Sequence, residues 1–348
     1  MVALLCAFSV GFVLKLASGV FIPMVIAWLM LQIFRPIIDL GRKIKLPPIV
    51  NLVLVFAVFF SLCYIGIIFC TTQIVEFNRT YIQYSPKLYE ITIDIMEAFQ
   101  IPPESLPRVS WMDIVGRYLR NISELAFALS SKFVLTLVFF FFMLLEAPYL
   151  NEKIDRAFSG HNSVRVRNIM SSVSREISRY LGTLSFISLI TGLLAWGFLE
   201  FMKVELAVGW GVLIFLLNFI PTVGSIIATA PPVMMAILQF SPGYAKPVVV
   251  LVVLTAIQFG IGNFITPKVV GDRLGLSPVV LLLSLLLWGM IWGIPGAILS
   301  VPIVAIIKIV CENFSSLKPI AVIIGSGKAA PAPPETEAPG DNGGKTSA

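Results

Sequence analysis

The sequence has few charged or chemically reactive side chains. Only 13% of its 348 residues are charged, it has one histidine, and its four cysteines form no Cys-x-x-Cys pair. A soluble enzyme, a nucleic-acid-binding protein or a secreted disulfide scaffold needs more polar surface or more paired cysteines. There is no Walker A loop, which argues against a transport ATPase. We predict no catalytic residue, no metal site, no cofactor and no nucleic-acid partner.

The sequence instead contains long hydrophobic runs. Hydrophobic residues make up 57% of the chain, and many of them lie in long runs without charge. A helix needs about 20 apolar residues to cross the hydrocarbon core of a bilayer. The runs therefore predict an all-α, polytopic transmembrane protein with about seven to eight membrane elements, and its first expected partner is the lipid bilayer.

Two uncharged runs are too long for a single crossing. Residues 206–245 and 274–307 contain 40 and 34 residues, which as straight helices would extend about 60 and 51 Å, against a core of about 30 Å. Each is interrupted near its middle by proline and glycine, at 221–224 and at 295–296. We predict that each run is a broken helix, either a re-entrant hairpin or a pair of short crossings.

Lysine and arginine assign the two sides of the membrane. They are enriched in 35–47 and 151–179, which the positive-inside rule places in the cytoplasm, whereas 76–124 has balanced charge and is placed outside. From residue 181 onwards, one span followed by one broken run occurs twice in opposite orientation. Many secondary transporters use such an inverted repeat of broken helices to build a substrate site near the bilayer midplane.

These assignments divide the chain into six predicted segments. They are the N-terminal transmembrane helices, 1–75; an extracytoplasmic helical insertion, 76–124; a transmembrane helix, 125–150; a cytoplasmic amphipathic segment, 151–180; the C-terminal transmembrane core with two broken helices, 181–315; and a cytoplasmic tail, 316–348, disordered from about residue 329. Pro23 is expected to break the first segment into two short crossings. The protein is expected to be a multi-pass protein of the inner cell membrane with a cytoplasmic C-terminus.

The cytoplasmic segment contains an amphipathic pattern. Apolar residues that include Ile169, Val173 and Ile177 recur at helical spacing, and four arginines accompany them. Basic amphipathic helices often lie on anionic lipid headgroups. We predict this interfacial position for residues 164–180, with a solvated linker helix as the alternative.

Polar residues within the uncharged runs are the candidate functional residues, because they are costly in hydrocarbon. Gln258 and Asn263 are five positions apart, so they point in different directions unless the helix is interrupted between them. The predicted substrate path consists of polar, proline and glycine residues at the two breaks and on the span between them: Asn218, Pro221, Thr222, Gly224, Gln258, Asn263, Pro295 and Gly296. Amides and hydroxyls that only join helices are the alternative.

Three motifs follow one another in the C-terminal half of the chain. They are Asn-Phe-Ile-Pro-x-x-Gly at 218–224, Ile-Gln…Asn…Pro-Lys-x-x-Gly-x-x-Leu-Gly-Leu-x-Pro at 257–278, and Gly…Pro-Gly…Val-Pro at 293–302. This combination resembles the autoinducer-2 exporter family of bacterial membrane transporters. The resemblance implies export of a small signalling molecule or, in other members, monovalent cation/proton antiport, and a homo-oligomer. Many members have an acidic residue where this chain has Ile261.

We therefore predict an exporter or permease of a small solute rather than an enzyme. A monovalent cation/proton antiporter is the alternative, although the uncharged runs offer no buried carboxylate. A non-transporting membrane scaffold is the alternative from another class, and it would tolerate apolar replacements at the breaks. We also predict that the two breaks face each other, or a shared aqueous cavity, near the midplane.

Overall fold

In the part of the chain that the structure describes, the secondary structure is helical, apart from an isolated bridge between Leu276 and Gly325. The computed structural model describes residues 9, 11–98, 132–158, 160–220, 223–266 and 275–326. Within these ranges we number ten helices: α1 Ser18–Lys43, α2 Pro48–Ala98, α3 Lys132–Ala157, α4 His161–Phe201, α5 Ala207–Leu217, α6 Val223–Phe240, α7 Ala245–Gly260, α8 Pro278–Trp292, α9 Ile294–Asn313 and α10 Lys318–Ile324. Helix α3 tightens to a 3-10 turn at Ala147–Tyr149.

Seven of the described helices are long and apolar enough to cross a bilayer, namely α1, α2, α3, α4, α6, α7 and α9. Their outward-facing side chains are mostly large hydrophobic residues, which suits contact with lipid rather than water. The predicted all-α, polytopic membrane fold is therefore confirmed.

Three hydrophobic clusters hold the helices together. The first joins α1, α2 and α3 around Phe34, Phe59 and Phe140. The second joins α1, the N-terminal half of α4, α8 and α9, and the third joins the C-terminal half of α4 with α5, α6 and α7. Helices α1 and α4 each contribute to two clusters, so they connect the N-terminal helices to the rest of the protein.

The run 206–245 folds back on itself as α5 and α6, here called the first hairpin. Gln239, near the end of α6, donates to the Lys203 carbonyl at 2.7 Å and accepts from the Glu205 amide at 3.0 Å, just before α5 begins. Both ends of the hairpin therefore lie at the C-terminal end of α4. Helix α5 has 11 residues, about 16 Å, too short for a core of about 30 Å. The short α5 favours a re-entrant hairpin over a pair of full crossings.

The run 274–307 also folds back, as α8 and α9, here called the second hairpin. Gly293 makes the turn with a φ of 66°, a left-handed value that favours glycine. Ser284 on α8 donates to the Ser300 carbonyl on α9 at 3.0 Å. This bond joins residues on either side of Gly293, so the two helices run antiparallel from the turn.

The ends of the second hairpin lie at the opposite end of α4 from those of the first. The Ser277 amide, at the start of α8, donates to the Ile324 carbonyl at the end of α10, at 3.0 Å. Just after α9, the Phe314 ring lies under the guanidinium of Arg165, near the start of α4, at 4.6 Å. The two hairpins therefore enter from opposite sides, as the predicted inverted repeat requires.

The predicted break at Pro23 is wrong. Helix α1 runs without interruption from Ser18 to Lys43 and contains Pro23. Pro23 is only the sixth residue of this helix, so its missing amide removes one hydrogen bond near the start. Its side chain is fully buried, and packing of this kind makes proline tolerable in membrane helices.

Three predicted segment boundaries fall inside or beside continuous helices. Helix α2 passes residue 75 without ending, α3 passes residue 150, and α4 passes residue 180. Charge marks where a helix enters water, and it does not end the helix. Two parts of the predicted segments lie outside the described residues, namely 99–131, which includes the rest of the insertion, and 327–348, which is most of the tail.

The apolar face of residues 164–180, predicted to lie on lipid, is covered by protein instead. Ile169, Val173 and Ile177 are buried in the second cluster, against α1 and α9. The amphipathic pattern correctly indicated a helix with one apolar face. That face is covered by protein rather than by lipid, because α1 and α9 supply the apolar partner.

The start of the first hairpin is tied to α2 through Glu205. Its carboxylate accepts from the Tyr84 hydroxyl at 2.9 Å and from the buried Thr80 hydroxyl at 3.3 Å. We expect Glu205→Leu to lower the free energy of unfolding by about 1–3 kcal/mol, because both hydroxyls lose a charged acceptor. The measurement is the Tm of the purified protein in detergent. Glu200→Leu is the matched control, since Glu200 is exposed and forms no ion pair within the described ranges; equal Tm values for the two variants would contradict the prediction.

Candidate functional site

The tip of the first hairpin places an amide against α4. Asn218 follows the last residue of α5, and its side-chain nitrogen donates to the Ser188 hydroxyl at 3.0 Å. Ser188 is fully buried. Pro221 and Thr222, two further predicted path residues, lie outside the described residues. The described part of the tip therefore has a polar contact within the membrane region, which is where a broken helix leaves backbone groups in need of partners.

The backbone of the first hairpin approaches neighbouring backbone closely at two places, one at the tip and one along α5. A Cβ on Gly224 would lie 2.8 Å from the Leu217 carbonyl carbon, and closer still to its oxygen. A Cβ on Gly192 of α4 would meet the Gly211 oxygen of α5 at 2.8 Å. Small residues that allow such approach are typical of helix contacts in membranes. Gly224 therefore has a structural role at the tip.

Helix α4 supplies two buried hydroxyls next to this tip. Ser188 and Thr191 both have no exposed surface, and Thr191 donates to the Ile187 carbonyl at 2.8 Å. The sequence analysis missed both residues. Their only signal was a pair of hydroxyls in an uncharged span, and serine and threonine commonly satisfy their own helix backbone in this way.

Gln258 has a buried side-chain nitrogen with no hydrogen-bond partner among the described residues. It lies one turn beyond Leu254, which belongs to the same cluster as Ala195 of α4. A buried donor without a partner is costly, so this amide is available to a ligand or water.

The helix is interrupted between Gln258 and Asn263 by a π turn at Ile261–Ile265. Turns of this type occur often at functional sites. Asn263 is nevertheless exposed, and its side chain donates to the Phe259 carbonyl at 3.0 Å. The two amides therefore differ in environment, because Gln258 points into the protein and Asn263 lies on its surface.

The tip of the second hairpin packs against the N-terminal part of the chain. Trp292 is buried, and its indole nitrogen donates to the Leu14 carbonyl at 3.0 Å. A Cβ on Gly296 would lie 2.6 Å from the Trp288 carbonyl carbon. Pro295, half-buried beside it, is near the start of α9, where a missing amide is tolerated.

The two tips have different neighbours in the structure. Leu217, just before the first tip, packs against the third cluster, whereas Trp292 belongs to the second. The structure thus brings Asn218 together with Ser188, and Gly296 together with Trp288 and Trp292. That the two breaks share an aqueous cavity remains a prediction.

The two hairpins enter from opposite sides, and the first has an amide at its break. Inverted repeats with broken helices of this kind are typical of secondary transporters. The model of AI-2E family transporters matches residues 1–316 of the chain. The chain belongs to the AI-2E transporter family. It is 31% identical to the AI-2 transport protein TqsA of Escherichia coli, over 89% of this chain and 91% of that protein.

Two other relatives of this AI-2E family member have different names, one general and one that specifies an antiporter. A Haemophilus influenzae protein, provisionally named a transport protein, is 34% identical over 89% of this chain and 91% of its own length. A sodium-lithium/proton antiporter of Halobacillus andaensis is 24% identical over 61% of this chain and 58% of its own length. The chain is therefore a polytopic membrane transporter, and its lipid environment and small-solute cargo follow from that class.

Proposed function

We propose that this AI-2E family member is an exporter or permease for a small, uncharged signalling molecule like autoinducer-2, and that the solute passes the tip of the first hairpin. The observation that carries the proposal is the contact between Asn218 and buried Ser188 at a break inside the membrane region. Gln258, with its buried donor, is the second proposed ligand for the solute. The name of the relative TqsA supports the choice of solute.

An uncharged solute agrees better with the residues at this tip than a cation does. Amides and hydroxyls offer hydrogen bonds, whereas binding of Na⁺ or H⁺ inside a membrane usually relies on a carboxylate. In the described part of α4 to α7 the acidic residues are Glu176, Glu200 and Glu205. All three lie at least two turns from Ser188 along the chain, and Glu205 is engaged by Tyr84 and Thr80.

The proposal places the protein in the inner cell membrane with its C-terminus in the cytoplasm, as a homo-oligomer. Orientation rests on the positive-inside rule, because Arg165, Arg167, Arg175 and Arg179 all lie in the N-terminal half of α4. Oligomerisation and outward direction rest on the family resemblance. Asn263, which is exposed, is proposed to line the path only where it reaches the surface of the protomer, and half-buried Pro295 is proposed to line it at the second tip.

We expect Asn218→Leu to reduce transport by about tenfold, because a solute and Ser188 both lose a buried hydrogen-bond partner. The measurement is uptake of autoinducer-2 and of Na⁺ or Li⁺ into everted membrane vesicles. Asn168→Leu is the matched control, since Asn168 is exposed on the same helix as Ser188.

The three candidate functions give different results in this assay. An autoinducer-2 flux that Asn218→Leu lowers and Asn168→Leu preserves supports the proposal. A flux of Na⁺ or Li⁺ coupled to protons, without solute flux, would support the antiporter instead. Absence of any flux, with normal growth of cells carrying Asn218→Leu, would support a scaffold.

A further inference from the structure

A cleft with charged side chains in its wall lies between the C-terminal half of α1 and the N-terminal half of α4. Its volume is about 650 Å³, within the range of small-ligand sites. Its wall is formed by the side chains of Arg35, Asp39, Arg175, Ser178, Arg179 and Thr183. No residue of either hairpin tip contributes to this wall, so the proposed contacts of the solute with Asn218 and Gln258 do not account for the cleft.

A hydrogen-bond network holds one arginine of the cleft in place. Gln32 is 3% exposed and accepts from the Ser174 hydroxyl at 2.6 Å. Arg35 donates in turn to the same Ser174 oxygen. The Ser178 hydroxyl donates to the Gln32 carbonyl at 2.8 Å. Arg35 is therefore positioned before any ligand arrives, which reduces the entropy lost on binding.

Positive charge in the cleft exceeds the negative charge available to neutralise it. Asp39 lies 3.7 Å from the Arg35 guanidinium and offsets one of three arginines. Arg175 and Arg179 form no ion pair within the described residues, and neither does Glu176, which lies between them on α4. Guanidinium groups bind phosphate through paired N–H donors. Two uncompensated guanidinium groups on one wall are thus suited to an anion of that shape.

The depth of the cleft matches the headgroup layer of the membrane. Helix α4 ends at Phe201, on the side that we propose is outside. About 20 residues cross the core, which places the inner boundary near residue 181. Arg179 and Arg175 then lie about 3 and 9 Å further in. Headgroups add about 5–8 Å to each side of the core, so the cleft is open to lipid headgroups and to the cytoplasm.

We propose that this cleft binds a phosphate group, with Arg175 and Arg179 as its main ligands and Arg35 as the fixed third donor. The phosphate belongs either to an anionic phospholipid or to a soluble phosphate compound, since the recognition chemistry is the same. Binding would join α1 to α4 from outside the second hydrophobic cluster. Occupancy of the cleft would therefore stabilise the helix pair that carries the second hairpin.

The test uses the purified full-length protein with two probes. In one arm, protein is taken from nanodiscs of equal phosphatidylcholine and phosphatidylglycerol, and native mass spectrometry measures retained phosphatidylglycerol. In the other arm, inorganic phosphate is titrated at constant ionic strength and the Tm is followed. We expect Arg175→Gln with Arg179→Gln to weaken binding by about tenfold for each arginine. The control, Lys153→Gln with Arg156→Gln, removes the same charge from exposed positions of α3.

The two arms test the site and also distinguish a lipid headgroup from a soluble phosphate compound. Retained lipid without a phosphate-dependent Tm identifies a headgroup, and the reverse identifies a soluble compound. The proposal is overturned if the double variant binds both probes as well as the wild type does, or if the control variant loses as much binding as the double variant. Arg175 and Arg179 are exposed, so folding should persist. A further measurement needs no variant: phenylglyoxal modifies arginine, and we expect either probe to slow the modification of Arg175 in the wild-type protein. Equal modification with and without both probes would contradict the proposal.

Discussion

We expect Gly296→Ala to abolish accumulation of folded protein, whereas Gly289→Ala, seven positions earlier in the same hairpin, should raise stability. A Cβ on Gly296 would lie 2.6 Å from the Trp288 carbonyl carbon and 2.9 Å from the Trp292 Cβ. The first of these is backbone, so the tip itself must move. Overpacking of this kind costs about 3 kcal/mol, and here it also displaces buried Trp292 from its bond to the Leu14 carbonyl.

Gly289 is the matched control because the same methyl group has space there. Nothing lies within 4 Å of a Cβ built on Gly289, and alanine in a helix interior is favoured over glycine by about 0.5–1 kcal/mol. Size-exclusion profiles of fluorescent fusions and Tm values in detergent measure both variants. A Gly296→Ala protein with the wild-type profile and Tm would show that the tip is not packed as described.

The positions of the two hairpins could be predicted from the sequence because they follow from length. An uncharged run of 40 residues cannot be one crossing, and proline with glycine near its middle leaves few places for the chain to reverse. Pro23 shows the limit of this reasoning. A proline near the start of a helix removes one hydrogen bond, and the buried packing of its ring outweighs that loss.

The partner of an apolar face could not be predicted in the same way. Ile169, Val173 and Ile177 have the spacing of a lipid-bound helix, but the spacing only requires an apolar neighbour. In the structure that neighbour is α1 and α9, which are over 100 residues away along the chain. The contact of Gly192 with Gly211 was missed for the same reason, because the two glycines lie on different helices and form no motif.

The candidate site was predictable only in part. Asn218 stands beside a break, and a break exposes backbone groups that need polar partners, so the sequence indicated its importance. Ser188, its partner, lies 30 residues earlier in an ordinary apolar span. Gln258 and Asn263 were expected to share a direction only if the helix is interrupted; a π turn does interrupt it, yet Asn263 is exposed while the Gln258 amide is buried.

The opposite orientation of the two hairpins leads to an all-or-none labelling result. We expect a cysteine at position 244, between α6 and α7, to react from outside the cell only, and a cysteine at position 315, just after α9, to react from the cytoplasm only. Tyr244 is 72% exposed, and Ser315 is exposed as well. A charged reagent does not cross about 30 Å of hydrocarbon, so each residue reports one side.

The physical reason for this orientation lies in α4. Its N-terminal half, with four arginines, lies near Phe314 and the ends of the second hairpin, whereas its C-terminal end lies beside the ends of the first. Arginine resists transfer across the bilayer by about 2.5–3.5 kcal/mol per residue, so we expect the ends of the second hairpin to lie on the cytoplasmic side.

The labelling experiment uses Tyr244→Cys and Ser315→Cys in a chain whose own cysteines at 6, 63, 70 and 311 are replaced by alanine. A membrane-impermeant maleimide is applied to spheroplasts and to everted vesicles, and the cysteine-free chain gives the background. Reaction of both cysteines from the same side would contradict opposite entry of the hairpins. Reaction of each from the side opposite to the one expected would keep the inverted repeat but reverse the whole protein in the membrane, and the proposed cytoplasmic C-terminus would then be wrong.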